Sequence, residues 1–320
     1  MKAVVTDFEG PEHVKVLERP APTPGPDEIA VSVRASALNR ADLLQTMGLY
    51  PAPAGVSAEI PGLEYAGEVA AVGARVTRWK VGDRVMGLVA GGAWAETLVI
   101  HEREAIAIPA SLSFTDAAAL PEAFATAFDA LVLQAGMTQG SRVLIHAVAS
   151  GVGTAALQLC RLYGATAIGT GRQPEKLERA KKLGLGHAIL VKDAQFAAEV
   201  KPGVDIALDL VGGDYVPETI EALAPKGTLM LVGLVAGATT DVPLRKILGK
   251  RLRVIGTTLR ARALEEKIVV ARAFEDKLVP HFASGALKPI VDDVLPMNDI
   301  VPALKRLASN DSFGKLVLTW

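Results

Sequence analysis

Gly151, Gly153 and Ala156 follow the apolar run "RVLIHA" and open the apolar-periodic stretch "GTAALQLCRLYG"; Arg172 stands nineteen residues past Gly153. Strand, glycine turn and helix in that order are what a G-x-G-x-x-A dinucleotide fingerprint requires. On this reading Gly151 allows the sharp turn, Gly153 lets the backbone approach a pyrophosphate, and Ala156 is small enough for helix to pack on strand. Ser150 and Val152 complete the loop, and the helix N-terminus turns its N–H groups and dipole toward the phosphates. A site that prefers NAD carries Asp or Glu about 20 residues on, to bind the ribose hydroxyls. Here Arg172, followed by Lys176, offers a guanidinium that can grip a 2′-phosphate with two hydrogen bonds. The pattern predicts NADPH. The plainer alternatives are a turn without ligand, and an Arg172 that merely caps a strand in solvent.

Other chemistries are excluded by residue type. The one cysteine, Cys160, falls on the apolar side of the predicted helix and reads as a core residue. It allows no internal disulfide and no four-cysteine zinc site, and the five histidines show no ligand spacing. No G-x-S-x-G elbow and no Walker A loop is present. A formal net charge of −1 gives no field to draw the chain to nucleic acid or an anionic membrane. The opening "MKAVVTDFEG" lacks a signal-peptide core, and no uncharged apolar run reaches membrane-spanning length. A reducing cytoplasm fits the single cysteine.

The elements that must hold this turn divide the 320 residues into unlike parts. The first third reads as short strands parted by glycine turns and proline loops: "MKAVVTDF", "EHVKVLER", "EIAVSVRASAL", "EYAGEVAAVG", "GDRVMGLV" and "AWAETLVI". Such a run predicts a compact β-barrel-like domain. From Asp116 the alanine-rich "TDAAALPEAFATAFDALVLQAG" reads as helix interrupted by Pro121. Apolar strands then alternate with amphipathic helices to "LRVIGTT", the pattern of a doubly wound parallel sheet. "AQFAAEV" is one of those expected helices. The tail is mixed: a long helix near Ala263 to Ser284, a strand near Ile290, a helix over 300–308 and a last strand "GKLVLTW". A cleft between two such domains is the default ligand site.

With these residues in hand the chain resembles the medium-chain dehydrogenases/reductases, in their zinc-free quinone oxidoreductase branch. "SALNRADLLQTMGLYP", "PGLEYAGEVAAVG", "VGDRVMGLVAGGAWAE", "ALPEAFATAFDAL", "VLIHAVASGVGTAALQL" and "GKLVLTW" carry the likeness in order over nearly the whole length. It implies an α/β architecture: a GroES-like β-barrel catalytic domain over 1–122, a Rossmann doubly wound parallel-sheet NADP(H) domain over 123–258, and a return to the catalytic domain over 259–320. Zinc alcohol dehydrogenases carry a cysteine where this chain has Asn39, and G-H-E where it has Gly62, Leu63 and Glu64. Both changes remove a metal ligand, and no metal is expected.

The resemblance also implies roles. Asn39 and Tyr50 lie in the segment that lines the nicotinamide and substrate cleft, and both are candidate catalytic residues, with Tyr50 also a cofactor contact. Thr126 resembles a threonine that reaches toward the nicotinamide. Ser150, Gly151, Val152 and Gly153 form the pyrophosphate loop. Gly233, Leu234 and Val235 resemble the carboxamide contacts, and Leu259 and Arg260 a segment flanking the nicotinamide. Arg260 and Arg262 read equally well as exposed charges. Relatives place Tyr or His near Val191 to touch the adenosine phosphate; Val191 has no donor, so Arg172 and Lys176 carry the NADPH preference.

The expectation is NADPH-dependent reduction of a quinone or related conjugated carbonyl by hydride transfer, with no catalytic His or carboxylate. Two alternatives stay open: an enoyl-thioester or enone reductase with Tyr50 as proton donor, and a non-catalytic, crystallin-like NADPH-binding protein. The partners expected are a small-molecule acceptor and a second copy of the chain, because the apolar strand near "RVIGTT" would lie at a sheet edge. Nucleic acid and membrane are not expected.

Overall fold

The structure is a computed structural model describing residues 1–320. Its internal contacts divide it into two units, residues 1–125 with 259–320, and residues 126–258.

The first unit opens with β1 (Lys2–Val5) paired antiparallel to β2 (Lys15–Glu18). β3 (Glu28–Ala37) is its longest strand, and its Ile29, Val31 and Val33 are fully or nearly buried. Helix α1 (Arg40–Thr46) follows after Leu38 and Asn39. Then come β4 (Glu64–Val72), β5 (Arg84–Leu88), β6 (Thr97–His101) and β7 (Ile106–Ala107). The alternation read in the sequence is the alternation of their inward side chains: Val31, Tyr65, Val69, Val85 and Leu98 pack into one cluster. The alanine-rich stretch forms α2 (Phe114–Ala118) and α3 (Pro121–Phe128), separated where Pro121 begins the second helix. It continues to Gln134 as a wider π-type turn.

In the second unit strand and helix alternate: β8 (Arg142–Ile145), α4 (Gly151–Leu162), β9 (Thr166–Gly171), α5 (Pro174–Lys181), β10 (His187–Leu190), β11 (Val204–Asp209), α6 (Tyr215–Ala222), β12 (Leu223–Leu231), α7 (Leu244–Lys250) and β13 (Arg253–Gly256). The six strands are parallel in the order β10-β9-β8-β11-β12-β13. This is the doubly wound order whose switch point falls between the first and fourth strands, β8 and β11. Two expectations fail locally. "AQFAAEV" makes only one short turn, Ala197–Glu199. Ala194 before it adopts a left-handed φ of 53°, and buried Phe196 and Val200 anchor the turn to the core. Helix α6 ends at Ala222, two residues earlier than its pattern reads, because Leu223 is already extended and starts β12.

The tail returns to the first unit. The expected long helix is two, α8 (Leu264–Lys277) and α9 (Val279–Ala283), with Pro280 in the first turn of the second. β14 (Val291–Pro296), α10 (Ile300–Ala308) and β15 (Lys315–Thr319) close the chain. The strand order of the first unit is then β14-β15-β3-β4-β5-β7, with β6 also on β3. This is the GroES-like domain, and the parallel unit is the Rossmann domain. No helix of the protein is long and apolar enough to cross a membrane.

Candidate functional site

The turn after β8 is built from hydrogen bonds that the sequence alone did not disclose. His146 is fully buried beyond the strand end, with Nδ1 2.9 Å from Thr170 Oγ1 and Nε2 2.8 Å from Thr219 Oγ1. Burial pushes this imidazole down to about 3, so the ring is neutral. Its tautomer follows from its partners. The Thr219 hydroxyl donates to Tyr215 O at 2.6 Å, so it accepts from His146 Nε2–H, and Nδ1 accepts from Thr170.

The sharp turn comes from Ala147, with φ of 49°, and not from Gly151. Val148 N donates to Thr170 O at 3.1 Å, tying the turn to β9. Ser150 is the N-cap of α4, its hydroxyl accepting from Gly153 N at 3.1 Å. Gly151 and Val152, the next two residues, open the helix. Gly153 is also needed for close packing within the chain. A Cβ there would lie 2.6 Å from both Ala147 O and Val148 O, so the absent side chain lets the first helical turn sit on the loop. Ala156, expected to let helix pack on strand, is fully buried in α4.

At the end of β9, Gly171 precedes an exposed Arg172, and Lys176 is half-buried in the first turn of α5. Val191 is 2% exposed and packs in the apolar core, its N–H donated to Gly171 O. Gly233 follows β12, and a Cβ there would lie 2.5 Å from Leu210 O. Leu234 and Val235 are exposed beyond it. Asp209 ends β11 with Oδ1 accepting from Val211 N and Gly212 N, while its buried Oδ2 has no partner. Burial raises this carboxyl above its ordinary value. Thr126 is buried within α3.

The first unit brings its candidate residues into two networks. In one, the Asn39 amide donates from Nδ2 to Glu64 Oε1 at 2.9 Å and to Ala37 O at 3.3 Å. Its Oδ1 accepts from Lys315 Nζ at 2.6 Å. Both amide hydrogens are thus engaged within the unit. Lys315 Nζ also reaches Leu38 O at 2.8 Å and Glu64 Oε1 at 2.6 Å, and Glu64 Oε2 accepts from Glu122 N. Beside them Asp42, fully buried, accepts from Asn39 N and Gly62 N. Burial pushes Asp42 up to about 7, opposed by the Asn39 hydrogen bond and the Lys315 charge and reinforced by Glu64. In the other network Arg260, 7% exposed, donates to Ala90 O, Tyr50 O and Gln45 Oε1. Its guanidinium lies over the Tyr50 ring, 4.8 Å from the centroid. Arg260 is therefore no exposed charge; with Leu259 it lines a small, mainly apolar pocket with Leu63, Ala90, Glu122 and Phe274.

The position where zinc relatives hold metal does not suit one here. Asn39 offers an amide already bonded, Leu63 offers no donor, and the Glu64 carboxylate holds an ammonium. A dinucleotide does suit the second unit, where the Gly153 cradle and the Ser150-capped helix start are of the kind that holds a pyrophosphate. Lys315, Asp42 and His146 escaped sequence reasoning. The "N-x-x-D" spacing of Asn39 and Asp42, a capping signature, was the one local signal available.

A GroES-like unit, and a parallel unit with such a turn, are the architecture of a nucleotide-binding oxidoreductase. Two family models match: the alcohol dehydrogenase GroES-like domain over residues 25–110 and the zinc-binding dehydrogenase over residues 151–275. The Mus musculus synaptic vesicle membrane protein VAT-1 homolog is 34% identical, covering 98% of this chain and 82% of its own. The Escherichia coli quinone oxidoreductase complexed with NADPH matches with a TM-score of 0.89 at 29% identity, covering 100% of both chains. The CurK enoyl reductase matches with a TM-score of 0.88 at 28% identity, covering 99% of this chain and 98% of its own. The chain belongs to the medium-chain dehydrogenase/reductase family, in its quinone oxidoreductase branch.

Proposed function

We propose that this protein reduces quinones or related conjugated carbonyls with NADPH, without zinc. The observation that carries the cofactor choice is the end of β9, where Gly171 and an exposed Arg172 stand in place of an acid. When bound, NADPH supplies the hydride. Ser150 and the first turn of α4 hold the pyrophosphate, and Gly233 to Val235 flank the nicotinamide end. A quinone accepts hydride readily, so Tyr50 and the apolar lining beside Arg260 need only orient it and exclude water. The likeness to a quinone oxidoreductase complexed with NADPH supports this reading.

The enoyl-thioester alternative has its own support in the CurK enoyl reductase and in the Tyr50–Arg260 contact. A cation over the ring favours the phenolate left when Tyr50 gives up a proton. NADPH oxidation with 1,4-benzoquinone and with a crotonyl thioester, in wild type and Tyr50→Phe, separates the two. Quinone turnover that survives Tyr50→Phe is expected. Thioester turnover far above it, abolished by Tyr50→Phe, would replace the quinone reading. Tight NADPH binding with no oxidation by any acceptor would leave the non-catalytic reading.

We also propose a homodimer formed through β13. This strand pairs only with β12, and Val254 on it is 47% exposed, as are Leu244 and Leu248 of α7 at 72% and 80%. A second copy extending the sheet would cover this edge.

A further inference from the structure

Val191, packed in the core just past β10, offers no polar side chain for an adenosine 2′-phosphate. Another element offers one. β9 and β11 flank β8 on either side, so their ends lie about 9–10 Å apart across the turn. Arg172 follows β9, and Tyr215 starts α6 just after the Gly212–Gly213 turn beyond β11. A nucleotide bound at the switch point between β8 and β11 lies against both loops.

The Tyr215 ring is fixed. It stands edge-on to His146, centroids 5.0 Å apart, and against Phe196 at 5.4 Å. A hydrogen-bond chain runs from Tyr215 O through Thr219 and His146 to Thr170, two residues before Arg172. Helix α6 is thereby held against the end of β9 by groups that do not touch solvent. The ring is half-buried, and its hydroxyl makes no hydrogen bond within the chain. Burial raises the phenol above its ordinary value, and the Arg172 charge acts on it in the opposite sense. The phenol and the guanidinium therefore share one electrostatic neighbourhood.

We propose that Tyr215 is a cofactor-specificity residue: with Arg172 it binds the 2′-phosphate of NADPH, its hydroxyl donating to a phosphate oxygen. The proposal rests on the NADPH reading and names a residue on α6 for a contact that Val191 cannot make. Phosphate recognition here is a pair, one guanidinium from β9 and one phenol from α6, aligned by the buried imidazole between them.

Calorimetric titration of NADPH, NADH and adenosine 2′,5′-bisphosphate into wild type, Tyr215→Phe and Arg172→Gln tests it. Phenylalanine keeps the ring packed on His146 and Phe196 and removes only the hydroxyl, and an unchanged melting temperature checks this. Tyr215→Phe is expected to weaken NADPH and the bisphosphate about tenfold and leave NADH within twofold, as loss of a hydrogen bond to a charged group requires. Equal weakening of NADPH and NADH, or wild-type affinity for both, overturns the role of Tyr215. In the latter case a wild-type preference for NADPH that Arg172→Gln removes leaves the cofactor reading standing. A wild type with no preference, unaltered by Arg172→Gln, removes both.

Discussion

The Lys315 ammonium lies 2.6 Å from the Glu64 carboxylate, with the two side chains 5% and 0% exposed. Removing one partner of such a pair leaves an uncompensated buried charge, which costs about 3–5 kcal/mol. Lys315→Met is therefore expected to destabilise the protein by about that much. Lys315→Met with Glu64→Gln, which removes both charges, should recover most of it. Urea denaturation of both variants is the measurement; a double variant no better than the single would show that charge is not the cause.

Asp42 gives the stability a pH dependence of definite sign. Its folded value is pushed up to about 7, above the ordinary carboxylate range. Between about pH 4 and 7 the folded chain keeps a proton that the unfolded chain has released. Its contribution to stability thus falls as pH rises through that window and stays low above it. Lys315, Glu64 and Arg260 are the charges acting on it. Asp42→Asn should remove the slope, at the expense of one of the two N–H donors now served by the carboxylate. Urea midpoints at pH 5 and pH 8 check this, and parallel behaviour of wild type and variant would reject it.

Gly153→Ala places a methyl 2.6 Å from two backbone carbonyls. We expect a loss of about 1–3 kcal/mol from overpacking, together with weaker NADPH binding as the turn is displaced. Denaturation and calorimetric titration of the same preparation read the two effects. Normal stability with normal binding would mean that the helix start can shift freely.

The doubly wound unit was legible because burial imposes period. A strand covered on both faces must be apolar throughout, and a helix covered on one face must be apolar at every third or fourth residue. β8, β9, β11 and their helices obey this. The charged centre of the first unit was not legible, because Lys315 meets Asn39 across 276 residues and no local pattern reports such a pairing. The same holds for His146, which reads as an ordinary residue after a strand and whose two threonine partners are 24 and 73 residues away. The glycine turn was found by its sequence signature, yet its bend was expected at the wrong residue: Ala147, not Gly151, takes the left-handed angle. A motif fixes which residues meet and leaves their backbone angles undetermined.

Arg172→Glu puts a carboxylate where a 2′-phosphate would bind. The ratio of NADPH to NADH efficiency, as kcat/KM, is expected to fall at least about tenfold. Steady-state rates with one acceptor and both cofactors measure it, and an unchanged ratio would mean that the end of β9 does not read the phosphate.

Val254→Lys places a charge on the exposed edge strand β13. Light scattering at micromolar concentration should give twice the 33.5 kDa chain mass for wild type and the single mass for the variant. A monomeric wild type would reject the β13 dimer.

The neutral imidazole of His146 has one more consequence. With its value pushed down to about 3, the ring passes through no protonation change between pH 5 and 9. The Thr170–His146–Thr219–Tyr215 chain therefore has one polarity only, and acidity cannot reverse it. This histidine works as a rigid spacer with a sense of direction, not as a proton carrier. A bell-shaped activity profile in this protein must be assigned to other groups, and a proton NMR titration should find the His146 ring silent throughout.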